Sequence, residues 1–444
     1  MDKFVVHGGV PLKGEVRLSG AKNVALKTIV ASLLTDDEIT IDNVPDIIDV
    51  RLMLELLGTL GVKSHFSGNH VRLIRNSLRN YEVPLEVGAR LRTTTLVLGP
   101  LLSRFGSALV PNPGGCRIGA RPIDRHIDAL RQMGARITYN SRDGFFHGQA
   151  DSLHGTVIRF PKNTHTGTES IILAAVLAKG QTVIENAAAE VEVDDLIEFL
   201  NGMGARIVRT KPREIKIDGV TRLHGTSYRL MSDRNEEVTL AVAAALTGGT
   251  VTVTGSVHRT LMAFLNPFRD AGGRYSAGGD TATYSVSRNL RPQDIITAPH
   301  PGFMTDWQGP WAVLMTRAAG LSTIHEAVFE SRFSYVPELQ KMGADVSFFQ
   351  PEVRDPEKFY NFNMRDHDGM SPQAVRIKGP TRLHDAVLMM HDLRAGATLL
   401  LAALTAPGKS YVHGIEHIDR GYENIEKKLQ ALGGRIIRVP EEAI

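Results

Sequence analysis

Cys116 is the only cysteine in the chain, and it lies in Pro113-Gly-Gly-Cys116-Arg117-Ile-Gly-Ala-Arg121-Pro122. The small residues make this loop adaptable, and a helix predicted to start near Pro122 turns its amino-terminal amides towards it. A thiol beside Arg117, Arg121 and such a helix end is expected to have a lowered pKa and to be reactive. The loop does not match a Walker phosphate loop, because Gly119 is followed by Ala-Arg rather than Lys-Ser/Thr. A second candidate is Asp306, isolated in Pro299-His-Pro-Gly-Phe-Met-Thr-Asp306 ahead of an apolar helical run over 311–315. Its position suits a functional carboxylate and a helix cap equally well. Arg332, Arg394 and Arg420 follow acidic residues in Glu330-Ser-Arg332, Asp392-Leu-Arg394 and Asp419-Arg420. Singly such arginines are surface ion pairs of little worth; converging, they would hold a polyanion. Lys22, in Ser19-Gly-Ala-Lys22-Asn23, is either solvated or another contact for that anion.

One string is misleading. His413-Gly-Ile-Glu416-His417 has the spacing of a zinc-protease motif, which requires a helix. Here it continues a glycine-opened strand pattern, Gly408-Lys-Ser-Tyr-Val-His, so no metal site is expected.

The elements that must position these residues follow from an internal repeat. Leu-x-x-Met-Gly-Ala recurs at Leu130, Leu200 and Leu339 and, as Leu-x-x-Leu-Gly-Gly, at Leu429; weaker copies start at Leu57 and Phe268. The marker glycines fall at 61, 134, 204, 272, 343 and 433, at intervals of 73, 70, 68, 71 and 90 residues. Each reads as the end of an amphipathic helix with a left-handed glycine cap, followed by a strand. Upstream lie strand patterns such as Gly249-Thr-Val-Thr-Val-Thr and Gly320-Leu-Ser-Thr-Ile-His. The expectation is an α/β protein of six strand-helix-strand units, three in each of two domains. The chain should cross between domains near 19–23 and 230–236, giving one domain of residues 22–231 and one of 1–21 with 232–444. A cleft between such halves is a natural small-molecule site. The long last interval places extra, polar and proline-bearing material between Gln350 and Pro372, read as a surface insertion.

Bulk properties agree. The 444 residues are 42% hydrophobic and 22% charged, ordinary for a globular protein and enough for two cores. Aromatic residues, at 6%, are too few for a nucleic-acid stacking platform, and a net charge of +3 suits a small anionic substrate better than a nucleic acid. The longest apolar stretches, such as 171–178, cannot span a bilayer, and no signal-peptide run opens the sequence. The reading is a soluble cytoplasmic enzyme with no membrane or nucleic-acid partner and no disulfide; the sequence does not fix an oligomeric state.

Taken together, Ser19-Gly-Ala-Lys-Asn23, Pro113-Gly-Gly-Cys through Arg121-Pro-Ile-Asp124, Glu330-Ser-Arg332, Asp392-Leu-Arg394 and Asp419-Arg-Gly-Tyr-Glu423 closely resemble the UDP-N-acetylglucosamine 1-carboxyvinyltransferase family of enolpyruvyl transferases, nearly end to end. That resemblance implies a two-domain inside-out α/β barrel, with no cofactor and no metal. It also implies transfer of the enolpyruvyl group of phosphoenolpyruvate to the 3-hydroxyl of UDP-N-acetylglucosamine, the first committed step of peptidoglycan synthesis. By position, Lys22, Arg121 and Arg420 would contact phosphate, and Arg332 and Arg394 the carboxylate. Cys116 would be the acid, Asp306 the general base and Asp392 a second carboxylate near the reacting carbon. Asn23, Arg92, Asp124 and the backbone around Val328 would meet the nucleotide sugar. The chain departs from the family at Lys162-Asn-Thr-His165-Thr-Gly167, polar where an apolar and serine-containing loop is usual, at Arg234-Asn-Glu-Glu237, and in the insertion after Gln350. The alternatives are 3-phosphoshikimate 1-carboxyvinyltransferase, which would carry Gly-Asn-Ala-Gly-Thr in place of Pro-Gly-Gly-Cys, and an inactive paralogue that binds a nucleotide sugar.

Overall fold

The computed structural model describes residues 2–75, 80–114, 122–287, 289–367 and 369–441. Cys116, Arg117 and Arg121 lie outside the described residues. The described chain divides into two compact units, one of residues 2–19 with 232–441 and one of 20–114 with 122–231.

The repeated sequence motif has a backbone explanation. All six marker glycines adopt positive φ, between 87° and 105°. The amide after the glycine then reaches back to the motif's leading leucine carbonyl: Ala135 to Leu130 at 3.1 Å, Ala205 to Leu200 at 3.0 Å, Ala344 to Leu339 at 3.0 Å and Gly434 to Leu429 at 2.8 Å. This bond closes the helix end, and only glycine enters the required conformation without a steric cost.

Each repeat then builds the same pattern. In one, strand Ser107–Pro111 precedes the amphipathic helix Asp124–Gln132 and the hairpin Arg136–Asn140 with Phe145–Gln149. A short strand, Val157–Arg159, leads into helix His165–Ala175. The short strand pairs in parallel with the first strand of the next repeat, Gln181–Glu185, so neighbouring repeats are stitched together. Three such sheets belong to each unit.

The helices that follow the short strands form the core. In the unit containing 232–441, every residue of Gln308–Met315 and Leu393–Thr405 is buried, as is all of Arg234–Thr247 except its last residue. These three helices pack against one another, and the sheets lie outside them. In the other unit Leu98–Phe105 packs on His165–Ala175 in the same way. Helices apolar on all sides belong in an interior, which makes each unit a barrel turned inside out.

Two details close the pattern. The last sheet obtains its inner hairpin strand from the other end of the chain: Asp2–Gly8 lies antiparallel between Gly408–His413 and Arg435–Pro440. In four sheets a tight turn joins the hairpin strands, as at Ser67 to His70 and Gly278 to Thr281. The strands Asp345–Phe349 and Ala374–Gly379 are instead joined by residues 350–373, which carry helix Pro356–Phe359 and a 3₁₀ turn at Met364–Asp366. His413 ends a strand, and among the described residues no group of His, Cys, Asp and Glu could hold a metal ion.

Candidate active site around Asp306

Asp306 sits in a 3₁₀ turn, Thr305–Trp307, that runs into the core helix Gln308–Met315. Neither element shows a side-chain capping bond, so Asp306 does not cap this helix. Its Oδ1 instead accepts from the Arg332 guanidinium at 2.8 Å and from Nε of Arg394 at 2.9 Å. Both arginines are buried, at 7% and 9% exposure, whereas the Asp306 side chain remains 21% open. A ligand can therefore reach the carboxylate while the guanidinium groups stay largely dry. Burial alone would raise the Asp306 pKa, but Arg394 and then Arg332 outweigh it, aided by Arg234. The carboxyl is held well below its usual range and is ionised.

The arginines are in turn fixed. Arg394 donates to the Tyr422 hydroxyl at 3.3 Å and lies over that ring at 5.6 Å; the hydroxyl meets Thr239 at 2.7 Å. Arg332 precedes a buried hydrogen-bonded chain in which Tyr335 donates to Gln308 at 2.6 Å. Arg234, itself fully buried, meets Nδ1 of His300 at 3.1 Å and lies 5.8 Å from the Trp307 ring.

Asp392 is the capping aspartate. One oxygen accepts from the amides of Arg394 at 2.9 Å and Ala395 at 3.0 Å, and the other from the Ser334 hydroxyl at 2.7 Å. This bonding starts the helix Leu393–Thr405 and fixes the backbone of Arg394, the residue that grips Asp306. Arg420 lies in the 3₁₀ turn Ile418–Arg420 of the same unit, and its neighbour Asp419 is taken by Arg438. Val328 follows Glu326, a fully buried carboxylate absent from the sequence-based candidates. Glu326 accepts from the Val328 and Phe329 amides at 2.7 and 3.0 Å and from the Thr305 hydroxyl at 2.8 Å. It thus joins the Val328 segment to the Asp306 turn. Burial raises the pKa of Glu326 despite these donors.

In the unit 20–231, Lys22 opens the core helix Lys22–Val30 and pairs with Asp49 at 2.8 Å; Asn23 follows it. Arg92 begins the 3₁₀ segment Arg92–Val97, and exposed Asp124 begins helix Asp124–Gln132. The polar 162–167 segment caps helix His165–Ala175 through Thr164, whose hydroxyl accepts from Gly167 at 3.2 Å. There, fully buried Glu169 lies 3.1 Å from both His165 and buried Lys27. The i,i+4 spacing of His165 and Glu169 signals their half of this cluster in the sequence; nothing local signals Lys27.

The family model described as EPSP synthase (3-phosphoshikimate 1-carboxyvinyltransferase) matches residues 6–429. The chain belongs to this enolpyruvyl transferase family. Within the family, it is 41% identical over 442 residues to the UDP-N-acetylglucosamine 1-carboxyvinyltransferase of Halorhodospira halophila, covering 99% of this chain and 100% of that protein. The Coxiella burnetii protein of that name is 43% identical, covering 99% and 96%. Among solved structures, the enolpyruvyl transferase NikO from Streptomyces tendae superposes with a TM-score of 0.86 at 25% identity, over 98% of each chain. An EPSP synthase from Acinetobacter baumannii, 18% identical, shares the fold with a TM-score of 0.74 over 99% of this chain and all of that one. These likenesses agree with the inside-out enolpyruvyl transferase architecture of the six sheets. Among the described residues no helix is long and apolar enough to cross a membrane.

Proposed function

We propose that this chain transfers the enolpyruvyl group of phosphoenolpyruvate to the 3-hydroxyl of UDP-N-acetylglucosamine with release of phosphate, a committed step of peptidoglycan synthesis in the cytoplasm. The near-full-length likeness to enzymes of that name supports the substrate pair. The structural observation that carries the chemistry is one accessible carboxylate, Asp306, shared by two buried arginines.

In this reading the arginines exchange one anion for another. Before substrate arrives, Arg332 and Arg394 neutralise Asp306 and make it a poor base. An incoming phosphoenolpyruvate carboxylate competes for the same guanidinium groups, and the Asp306 pKa rises as their hold weakens. The base gains strength when the reactants are present. The methylene carbon of phosphoenolpyruvate takes a proton from the proposed acid Cys116, and the sugar hydroxyl adds to the adjacent carbon while Asp306 removes its proton. The tetrahedral adduct then loses phosphate and a methyl proton, restoring the enol ether. Lys22, Arg121 and Arg420 are proposed to hold the phosphate, and Asn23, Arg92, Asp124 and the Val328 backbone the nucleotide sugar. Asp392 contributes by holding Arg394 and by placing a second negative charge near the reacting carbon.

The test is phosphate release. Phosphoenolpyruvate with UDP-N-acetylglucosamine should release phosphate, and phosphoenolpyruvate with 3-phosphoshikimate should not. Calorimetric binding of the nucleotide sugar without turnover would overturn the proposal in favour of an inactive paralogue.

A further inference from the structure

Residues 350–373 stand where four other hairpins have only a tight turn, and they pack on one particular segment. They form a small apolar cluster separate from the two main cores: Tyr360 and Phe362 are buried with Ala327, and Val353 and Met364 lie against them. Among the described residues, Ala327 is the one member of this cluster from outside the insertion, and it directly precedes Val328. The Tyr360 and Phe362 rings stack at 4.8 Å, and Phe359 lies 4.9 Å from the His325 ring. The Tyr360 hydroxyl meets Nε2 of His325 at 3.1 Å.

Polar bonds fasten the same segment at both ends. The Asn361 amide donates to the Ala327 carbonyl at 2.8 Å, and the Glu326 amide donates to the Gln373 carbonyl at 2.8 Å. Gln373, only 1% exposed, sends its side-chain amide to the Glu330 carbonyl at 2.9 Å. The segment between these anchors contains Val328 and ends beside Arg332. A surface extension that served only to lengthen a turn would not need its own core, and ordering so many residues has a large entropic cost.

We propose that residues 350–373 are a positioning element that sets substrate affinity by fixing the backbone from Glu326 to Arg332. The substrate meant is the nucleotide sugar at Val328, so this inference rests on the function proposed above. Tyr360 and Gln373 act through that backbone and touch no reacting atom.

Steady-state kinetics on Tyr360→Ala and Gln373→Ala test this. Each should raise the KM for UDP-N-acetylglucosamine about fivefold to tenfold, the equivalent of one or two net hydrogen bonds, with kcat within about twofold of the parent. Tyr360→Phe, which retains the packing, should restore most of the affinity. Hydrogen exchange of the 326–332 amides should accelerate in both alanine variants, and this readout does not need activity. Lowered kcat with unchanged KM, or unchanged exchange at 326–332, would overturn the inference. Faster exchange in a protein that releases no phosphate would instead count against the proposed function alone.

Discussion

Replacing Asp306 by asparagine separates the two tasks assigned to its charge. The amide retains an oxygen for Arg332 and Arg394 but removes the anion both arginines share. A ligand carboxylate held by those guanidinium groups would sit roughly 6 Å from the Asp306 charge. At an effective dielectric of about 20 the repulsion removed is about 3 kcal/mol, on the order of a hundredfold in anion affinity. Loss of the base should at the same time lower turnover by about a hundredfold to ten-thousandfold. Titration calorimetry with phosphoenolpyruvate, with and without UDP-N-acetylglucosamine, reads the first effect, and a phosphate-release assay reads the second. The expected variant binds phosphoenolpyruvate more tightly and turns over far more slowly. If asparagine leaves anion affinity unchanged or weakens it, Asp306 does not compete with substrate for its arginines, and the exchange of anions is wrong.

Cys116→Ser should abolish most phosphate release, and mass spectrometry should find Cys116 in the parent alkylated by the epoxide fosfomycin; an unmodified thiol counts against an activated cysteine. Asp392→Ala should destabilise the protein by about 1–3 kcal/mol in urea unfolding, through loss of a helix cap and of the Ser334 partner, whereas Asp392→Asn should keep most of that stability. Activity retained in the asparagine variant would show that capping, not charge, is what this residue supplies. Burial lowers the His165 pKa, but the charge of Glu169, 3.1 Å away, with that of Glu190, overcomes both that and Lys27, so its folded value lies above the ordinary 6.5. Protonated His165 therefore adds stability that is complete below pH 6.5 and is lost as pH rises through the raised value. His165→Asn should flatten stability against pH above 6.5, and melts in which the slope persists would refute the assignment.

The repeat was legible because its signal is local. A left-handed glycine and the leucine whose carbonyl it frees lie within one helical turn, so Leu-x-x-Met-Gly-Ala spells its own conformation. Strand openings at Gly320 and Gly408 were readable for the same reason. Asp306 and Asp392 could not be told apart in this way, since both are aspartates preceding apolar helices. Only the long-range approach of Arg332 and Arg394 makes one an ion-pair centre and leaves the other a cap. Spacing located the 350–373 insertion, but its packing on Ala327 depends on aromatic residues that meet only in three dimensions. Glu326 was missed because a glutamate after a strand ordinarily faces water; its burial follows from donors at Thr305, Val328 and Phe329.

The strand Asp2–Gly8 has a consequence for how the molecule is made. It pairs with partners that the ribosome produces only after the whole of the inserted unit, Gly408–His413 and Arg435–Pro440. The inserted unit, 20–231, can complete its three sheets while synthesis continues, but the other unit must keep Asp2–Gly8 waiting until those distant partners emerge. Throughout that interval an apolar edge, Phe4-Val5-Val6, has no native neighbour and is open to pairing with other chains.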